Sequence, residues 1–434
     1  MEKTIKKSTA NGIVKAPPSK SMAHRYIICA ALANGVSTVT NVDFSEDINA
    51  TLDCIKTLGA EVTIEGSTVT IDGSCSILND ATARNDSLKV NNGSKKSILE
   101  RFFDMSDEDD DYSLDFMCRE SGSTMRFFMG IAMTLPFQCN FFGSDTLRRR
   151  PFGIYEKILN ATYEKNSYFK QLEDRNVIKG GIKTNDFEIE GNVSSQFVTG
   201  LLLALSLRKE GGSITLIPPV ESRSYIDMTI QAMREFNVEV DWEDEYVLRV
   251  NPGQMYLSQN IEVEGDYSNA AFLDAFNFLG GNVEVTGLND DSLQGDQVYK
   301  EYFEKLENGK AVIDIADCPD LGPVLFAVAA ANHGGVFTST ARLKIKESDR
   351  GRVMCQELAK FGVNTKMVEN QIEIDGGGLK IPSEILCGHN DHRIVMSLSL
   401  LLTQTGGKIN DAEAVRKSYP GFFDDIAKLG VIVE

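Results

Sequence analysis

The feature that most restricts the fold of this chain is a recurring junction, in which a short polar turn opens a helix that is apolar on nearly every side. It reads SKSMAHRYIICAALANG from Ser19, SGSTMRFFMGIAM from Ser121, SSQFVTGLLLALSL from Ser194, SNAAFLDAFNFLG from Ser268, DLGPVLFAVAAANHG from Asp320 and DHRIVMSLSLLL from Asp391. A helix without a polar face has to lie inside a domain, packed under sheets. A second series interleaves with the first, an amphipathic helix that feeds a two-stranded hairpin: CIKTLGAEVTIEGSTVTIDG (Cys54–Gly73), AMREFNVEVDWEDEYVLRVNPG (Ala232–Gly253) and ELAKFGVNTKMVENQIEIDGG (Glu357–Gly377). In each, apolar residues at helical spacing give way to alternating β-branched residues about a polar turn. The last residues, DDIAKLGVIVE, repeat the helix-to-strand step. Six such units at intervals of roughly fifty to a hundred residues are too widely spaced for a solenoid, and predict two globular α/β halves of three units each.

Charge narrows the partners. The 434 residues include 44 Lys+Arg against 63 Asp+Glu, a net charge of −19, which repels nucleic acid and anionic lipid alike. The segment 87–115 contains the run Asp107, Glu108, Asp109, Asp110, Asp111 and reads as an acidic surface insertion. No apolar run has the length of a signal peptide or a membrane span, so the expected location is the cytoplasm. Eight scattered cysteines read as reduced core thiols. His389 and His392 stand three apart, but no Cys or carboxylate cluster accompanies them, so no metal site is expected.

The polar turns are the first candidates for chemistry, because unpaired N–H groups and the helix dipole favour anions at a helix start. Ser19-Lys20-Ser21, with Arg25 one turn on, sets two cations and two hydroxyls at one start. Ser121-Gly122-Ser123 and Ser194-Ser195-Gln196 repeat the arrangement, Gly122 allowing close backbone approach. Each also reads as an ordinary N-cap. Cations then recur at loops and helix starts: Arg148-Arg149-Arg150 before Pro151, Lys344-Ile345-Lys346-Glu347-Ser348-Asp349-Arg350, Asp391-His392-Arg393, and Arg416-Lys417. Guanidinium forks suit phosphate and carboxylate oxygens, and this concentration favours a polyanion site over scattered surface ion pairs. No catalytic triad order, Walker A pattern or dinucleotide fingerprint is present.

Together PPSKSMAHR, ESGSTMRFF, LRRRPFG, SSQFVTGLL, SRSYIDMT, EGDYSNAAF, PDLGPV, KIKESDR, NDHRIVMS and RKSYPGFF resemble, in order, the motifs of the 5-enolpyruvylshikimate-3-phosphate synthase family. The resemblance implies a two-domain α/β enolpyruvyl transferase fold, each domain of three βαβαββ repeats with buried parallel helices, and an active site in the interdomain cleft. It implies a first domain of residues 1–18 and 265–434 and a second of 19–264. It further implies transfer of the enolpyruvyl group of phosphoenolpyruvate to the 5-hydroxyl of shikimate 3-phosphate by addition and elimination, without metal or organic cofactor, in a monomer. By matching positions, Lys20, Ser21, Arg25, Ser194, Ser195, Gln196, Ser222, Tyr225, Asp320 and Lys346 would hold shikimate 3-phosphate. Lys20, Gly122, Ser123, Arg150, Gln196, Arg350, Arg393 and Lys417 would hold phosphoenolpyruvate. Lys20, Asp320 and Glu347 would be catalytic, and the site cations would converge in one positive pocket of a negative protein.

Two departures from the family pattern stand out, Glu120 and Arg342, each where asparagine is frequent. Two other readings compete. UDP-N-acetylglucosamine enolpyruvyl transferase shares the fold, but usually carries a cysteine or aspartate in the loop corresponding to Asp145–Gly153, which here has no cysteine and no acid beyond Asp145. A non-catalytic anion binder of the same fold would gain nothing from Asp320 and Glu347 among its cations.

Overall fold

The computed structural model describes residues 1–82, 113–136, 138–161, 167–182 and 184–434. The expected acidic insertion therefore lies outside the described residues, except for Ser113, Leu114 and Asp115 in the strand Ser113–Met117. The chain forms two compact units, Lys20–Val263 and Met1–Ser19 with Glu264–Glu434. Each has its own apolar core.

The described residues of the unit Lys20–Val263 form three four-stranded sheets of one design, a parallel pair followed by an antiparallel hairpin. The second runs Ser113–Met117, Gln138–Phe142, Asn176–Lys179, Tyr168–Gln171, and the third Asp186–Glu190, Gly212–Ile217, Val247–Val250, Val240–Trp242. In both, the buried helix, Gly122–Ala132 or Ser195–Ser206, links the two parallel strands. Among the described residues the first repeat has no leading strand of its own, and Asn260–Glu262 returns from the end of the unit to pair in parallel with Val36–Thr40. The helix Lys20–Leu32 is buried from Met22 onward.

The other unit is less regular than its sequence suggests. Only Ala311–Asp314, Gly334–Thr338, Gln371–Asp375 and Thr365–Val368 build a full four-stranded repeat. A second sheet has three short strands, Lys3–Ile5 against Gly407–Asn410 against Leu386–Cys387, and a third only Asn11–Lys15 beside Asn282–Thr286. The helix-to-strand step at the C-terminus ends in a single antiparallel bridge from Val433 to Ile5, not in a hairpin.

Helix starts follow the polar turns with two exceptions. Ser121, Ser194 and Asp391 are N-caps whose side chains accept backbone N–H groups. Asp266, not Ser268, caps the helix Tyr267–Asp274 by accepting from Asn269 N–H at 2.8 Å. Asp320 lies in a 3-10 turn, Pro319–Leu321, ahead of the helix Gly322–Ala331. The cysteines are not all core thiols: Cys29, Cys54, Cys118, Cys139 and Cys318 are buried, Cys355 and Cys387 half-buried, and Cys75 exposed. Among the described residues, no helix is long and apolar enough to cross a membrane.

The helices Gly122–Ala132 and Ser195–Ser206 approach closely because glycines face each other. A Cβ on Gly130 would lie 2.1 Å from the Gly200 carbonyl oxygen and 2.7 Å from its Cα. Backbone cannot swing aside as a side chain can. Gly130→Ala is expected to destabilise the protein by about 1–3 kcal/mol or more, read as a lower urea midpoint at unchanged m-value; an unchanged midpoint would show that the helices can separate freely.

Candidate active site

The candidate residues form two groups, one in each unit. In Lys20–Val263 they gather at the starts of buried helices. Lys20 Nζ donates to Asp47 Oδ2 at 2.8 Å, where Asp47 sits in the first turn of the helix Glu46–Thr57. Arg25 is buried, donating from Nη1 to the Ser21 carbonyl at 2.7 Å, from Nε to Thr229 Oγ1 at 2.9 Å and from Nη2 to the Tyr225 carbonyl at 2.9 Å. Burial pulls its guanidinium down to about 10, still protonated at neutral pH. Ser222, left-handed at φ 57°, begins the helix Arg223–Glu235 that carries Tyr225.

The Gly122 turn is tied to the Ser194 turn through a side chain that the candidate set omits, Arg126. Its Nη1 donates to Gln196 Oε1, and Gln196 Nε2 donates to Ser123 Oγ at 2.8 Å. Phe197 and Phe152 flank the guanidinium, with centroids at 5.2 and 5.7 Å. Arg150 belongs here too, since a Cβ on Gly122 would come within 2.6 Å of Arg150 Nη1 and 3.2 Å of Arg126 Nη1. Arg148 instead donates to the Gly143 carbonyl and pairs with Asp145, so of the arginine run it is Arg150 that reaches the Gly122 turn.

Beneath these residues runs a buried polar chain. His24 Nδ1 meets Thr51 Oγ1 at 2.7 Å, Thr51 meets Thr124 Oγ1 at 2.8 Å, and Thr124 donates to the capping Ser121 Oγ at 2.7 Å. Burial, with Lys20 and Arg25 adding to it, holds His24 well below its ordinary 6.5, so its imidazole is neutral in this chain of contacts. The helix bearing Lys20, Ser21 and Arg25 is thereby registered against the Gly122 turn.

In the other unit Arg350 is the hub. Fully buried, it donates from Nε to Asp391 Oδ2 at 2.9 Å, from Nη1 to Asp320 Oδ1 at 2.8 Å and from Nη2 to Glu347 Oε2 at 2.5 Å. Asp320 also faces Lys346 Nζ at 3.0 Å and Arg393 Nη2 at 3.4 Å. Burial alone would raise the Asp320 carboxyl, but Lys346, Arg393 and Arg350 hold it well below 3.8. Lys346 is itself lowered, by burial first. Lys417 Nζ donates to the Asn390 carbonyl at 2.6 Å. Asp296, which accepts from Ser268 Oγ, is pushed up to about 6, by burial and by Asp320, against the pull of Arg393.

The chain matches the family model of EPSP synthase (3-phosphoshikimate 1-carboxyvinyltransferase) over residues 5–93 and 86–426. It is 36% identical over 452 residues to a 3-phosphoshikimate 1-carboxyvinyltransferase of Clostridium perfringens (strain 13 / Type A), covering 99% of this chain and 98% of that protein. The chain belongs to the EPSP synthase family. The Clostridioides difficile (strain 630) protein of the same name is 34% identical, covering 98% and 96%. Solved structures agree on the fold. An EPSP synthase from Acinetobacter baumannii superposes with a TM-score of 0.73 at 23% identity, covering 100% of this chain and 99% of that one. The enolpyruvyl transferase NikO from Streptomyces tendae gives 0.71 at 12% identity, covering 100% and 98%.

Within this EPSP synthase family member, Asp47, Arg126 and Asp391 are the neighbours that sequence reasoning passed over. Arg126 and Asp391 stand inside the ESGSTMRFF and NDHRIVMS segments, so a signal existed. Asp47 reads only as a first-turn acid favourable to its helix dipole, and its contact with Lys20 spans 27 residues. Of the two departures, Arg342 is buried and donates from Nη1 to the Ala316 carbonyl at 3.3 Å, while Glu120 precedes the Ser121 cap.

Proposed function

We propose that this protein transfers the enolpyruvyl group of phosphoenolpyruvate to the 5-hydroxyl of shikimate 3-phosphate, releasing phosphate, as a monomeric cytoplasmic enzyme without cofactor, its two units acting as the two domains. Full-length membership of the family carries this reading, and the two groups of side chains supply the chemistry it needs. Ser21, Arg25, Ser194, Ser195, Gln196, Ser222, Tyr225 and Lys346 hold shikimate 3-phosphate. Arg150, Arg350, Arg393 and Lys417, with the Gly122–Ser123 turn and Gln196, hold phosphoenolpyruvate, and Lys20 serves both.

The addition step protonates the methylene carbon of phosphoenolpyruvate, building positive charge at C2 that the attacking hydroxyl quenches in a tetrahedral intermediate. Glu347 passes the proton to the methylene, while ionised Asp320 takes the proton of the hydroxyl as its oxygen bonds to C2 and opposes the charge there. Elimination then breaks the C2–O bond to phosphate as the new methyl group returns a proton to Glu347 and the C=C bond re-forms, with Lys20 and the arginines neutralising the charge of the departing phosphate. Bringing two polyanions together in water is unfavourable, and fixed cations with fixed orientation offset that cost by several kcal/mol.

The deciding experiment mixes the protein with both substrates and follows phosphate release. Silence there, with release when UDP-N-acetylglucosamine replaces shikimate 3-phosphate, would reverse the assignment. A finer prediction concerns Gly122. Because its added Cβ would displace the Arg150 guanidinium, Gly122→Ala is expected to raise KM for phosphoenolpyruvate about tenfold or more while leaving KM for shikimate 3-phosphate near wild type. Equal changes in both constants would contradict it.

A further inference from the structure

The turn joining the strand Leu386–Cys387 to the helix His392–Thr405 holds two successive non-glycine residues in the left-handed region, His389 at φ 51° and Asn390 at φ 52°. Such a pair persists only where its surroundings over-determine it. One surrounding group is Glu357, on the helix Arg350–Lys360 and only 2% exposed. Its carboxylate accepts from the Cys387 N–H at 2.9 Å, meets His389 Nε2 at 3.0 Å, and accepts from Lys360 Nζ at 2.9 and 3.0 Å. Burial pushes this carboxyl up, yet the donors outweigh burial and leave it below its ordinary value.

On the other side the same turn meets the candidate site. The Asn390 carbonyl accepts from Lys417 Nζ at 2.6 Å, and Asp391 accepts from Arg350 and from the Arg393 N–H at 3.0 Å. An Asn390 in extended or right-handed conformation would aim its carbonyl elsewhere, and the Lys417 ammonium would lose that anchor. We propose that Glu357 is a positioning residue for phosphoenolpyruvate binding, gripping the 387–391 turn so that the Asn390 carbonyl sets the place of the Lys417 ammonium. The inference rests on the reading above, in which Lys417 holds phosphoenolpyruvate.

The test uses full-length Glu357→Gln, His389→Gln and Lys417→Met variants and the Glu357→Gln/Lys417→Met double variant, with phosphate release measured as each substrate is varied in turn. Absence of release from wild-type protein would overturn the underlying reading, not this inference. With wild type active, Glu357→Gln is expected to raise KM for phosphoenolpyruvate about tenfold and to change KM for shikimate 3-phosphate less than about twofold. In the Lys417→Met background the same substitution is expected to add less than about twofold, because the group it positions is gone. A purely structural Glu357 would lower the melting temperature and leave both KM values unchanged, and that result overturns the proposal, as does full additivity in the double variant. Should Glu357→Gln fail to fold, His389→Gln decides: a KM for phosphoenolpyruvate raised about threefold supports the proposal, and an unchanged one overturns it.

Discussion

Asp320→Asn and Glu347→Gln are each expected to slow phosphate release by about 10²- to 10⁴-fold with both substrates still bound. Each substitution keeps the shape of the side chain and removes its charge, so the loss falls on chemistry more than on packing. The two carboxylates differ in setting. Asp320 answers to Lys346, Arg393 and Arg350, whose pull overcomes burial and holds it well below 3.8, so it is ionised. Deleting its charge leaves those three cations with one counter-charge fewer. Anion binding therefore holds or tightens while turnover collapses, and a raised KM accompanied by normal kcat would contradict this account. Glu347 accepts from Arg350 Nη2 at 2.5 Å. Calorimetric titration of shikimate 3-phosphate into both variants, beside single-turnover phosphate release, separates binding from chemistry. Should both variants keep wild-type turnover, neither carboxylate has the role assigned to it.

Much of this arrangement can be read from the chain, for reasons that also mark where reading stops. Helix starts at Ser121, Ser194 and Asp391 are legible because capping is local, a side chain accepting an N–H two or three residues on. The same locality misleads at Ser268, where EGDYSNA offers two capping residues and the earlier aspartate takes the role. At Asp320 the polar residue precedes Gly322 and Pro323, and a 3-10 turn intervenes before the helix. The buried helices are legible from their lack of a polar face, whereas the shortened sheets of one unit are not, because sheet pairing joins segments hundreds of residues apart, as Asn11–Lys15 joins Asn282–Thr286. Site partners divide likewise. Glu347 and Arg350 are three apart on the chain, so their pairing is visible in KESDR, but Arg350 with Asp391 and Lys20 with Asp47 exist only once the fold has brought them together.

Arg350→Ala is expected to cost about 3–5 kcal/mol of folding stability, the loss that follows when one partner of a buried ion pair is removed and the other stays. Asp391 is the residue left behind. It is 0% exposed, and without Arg350 it keeps the Ser348 hydroxyl at 2.9 Å and the Arg393 N–H at 3.0 Å but no guanidinium. Two further carboxylates, Asp320 and Glu347, converge on the same arginine, so its removal also leaves like charges facing each other. Arg350→Lys is expected to recover little, since a single ammonium cannot present three donors along a planar fork to three carboxylates at once. Urea unfolding reads both effects as lowered midpoints. The decisive comparison is with Arg350→Met/Asp391→Leu, which removes both charges from the interior. Because desolvation offsets much of the attraction in a buried pair, the double variant is expected to be more stable than Arg350→Ala even though it has lost more polar contacts. It is nevertheless expected to be inactive, since one of the cations proposed to hold phosphoenolpyruvate is gone. A double variant no more stable than Arg350→Ala would place the cost in lost packing around the guanidinium, and the stranded charge on Asp391 would not be its cause.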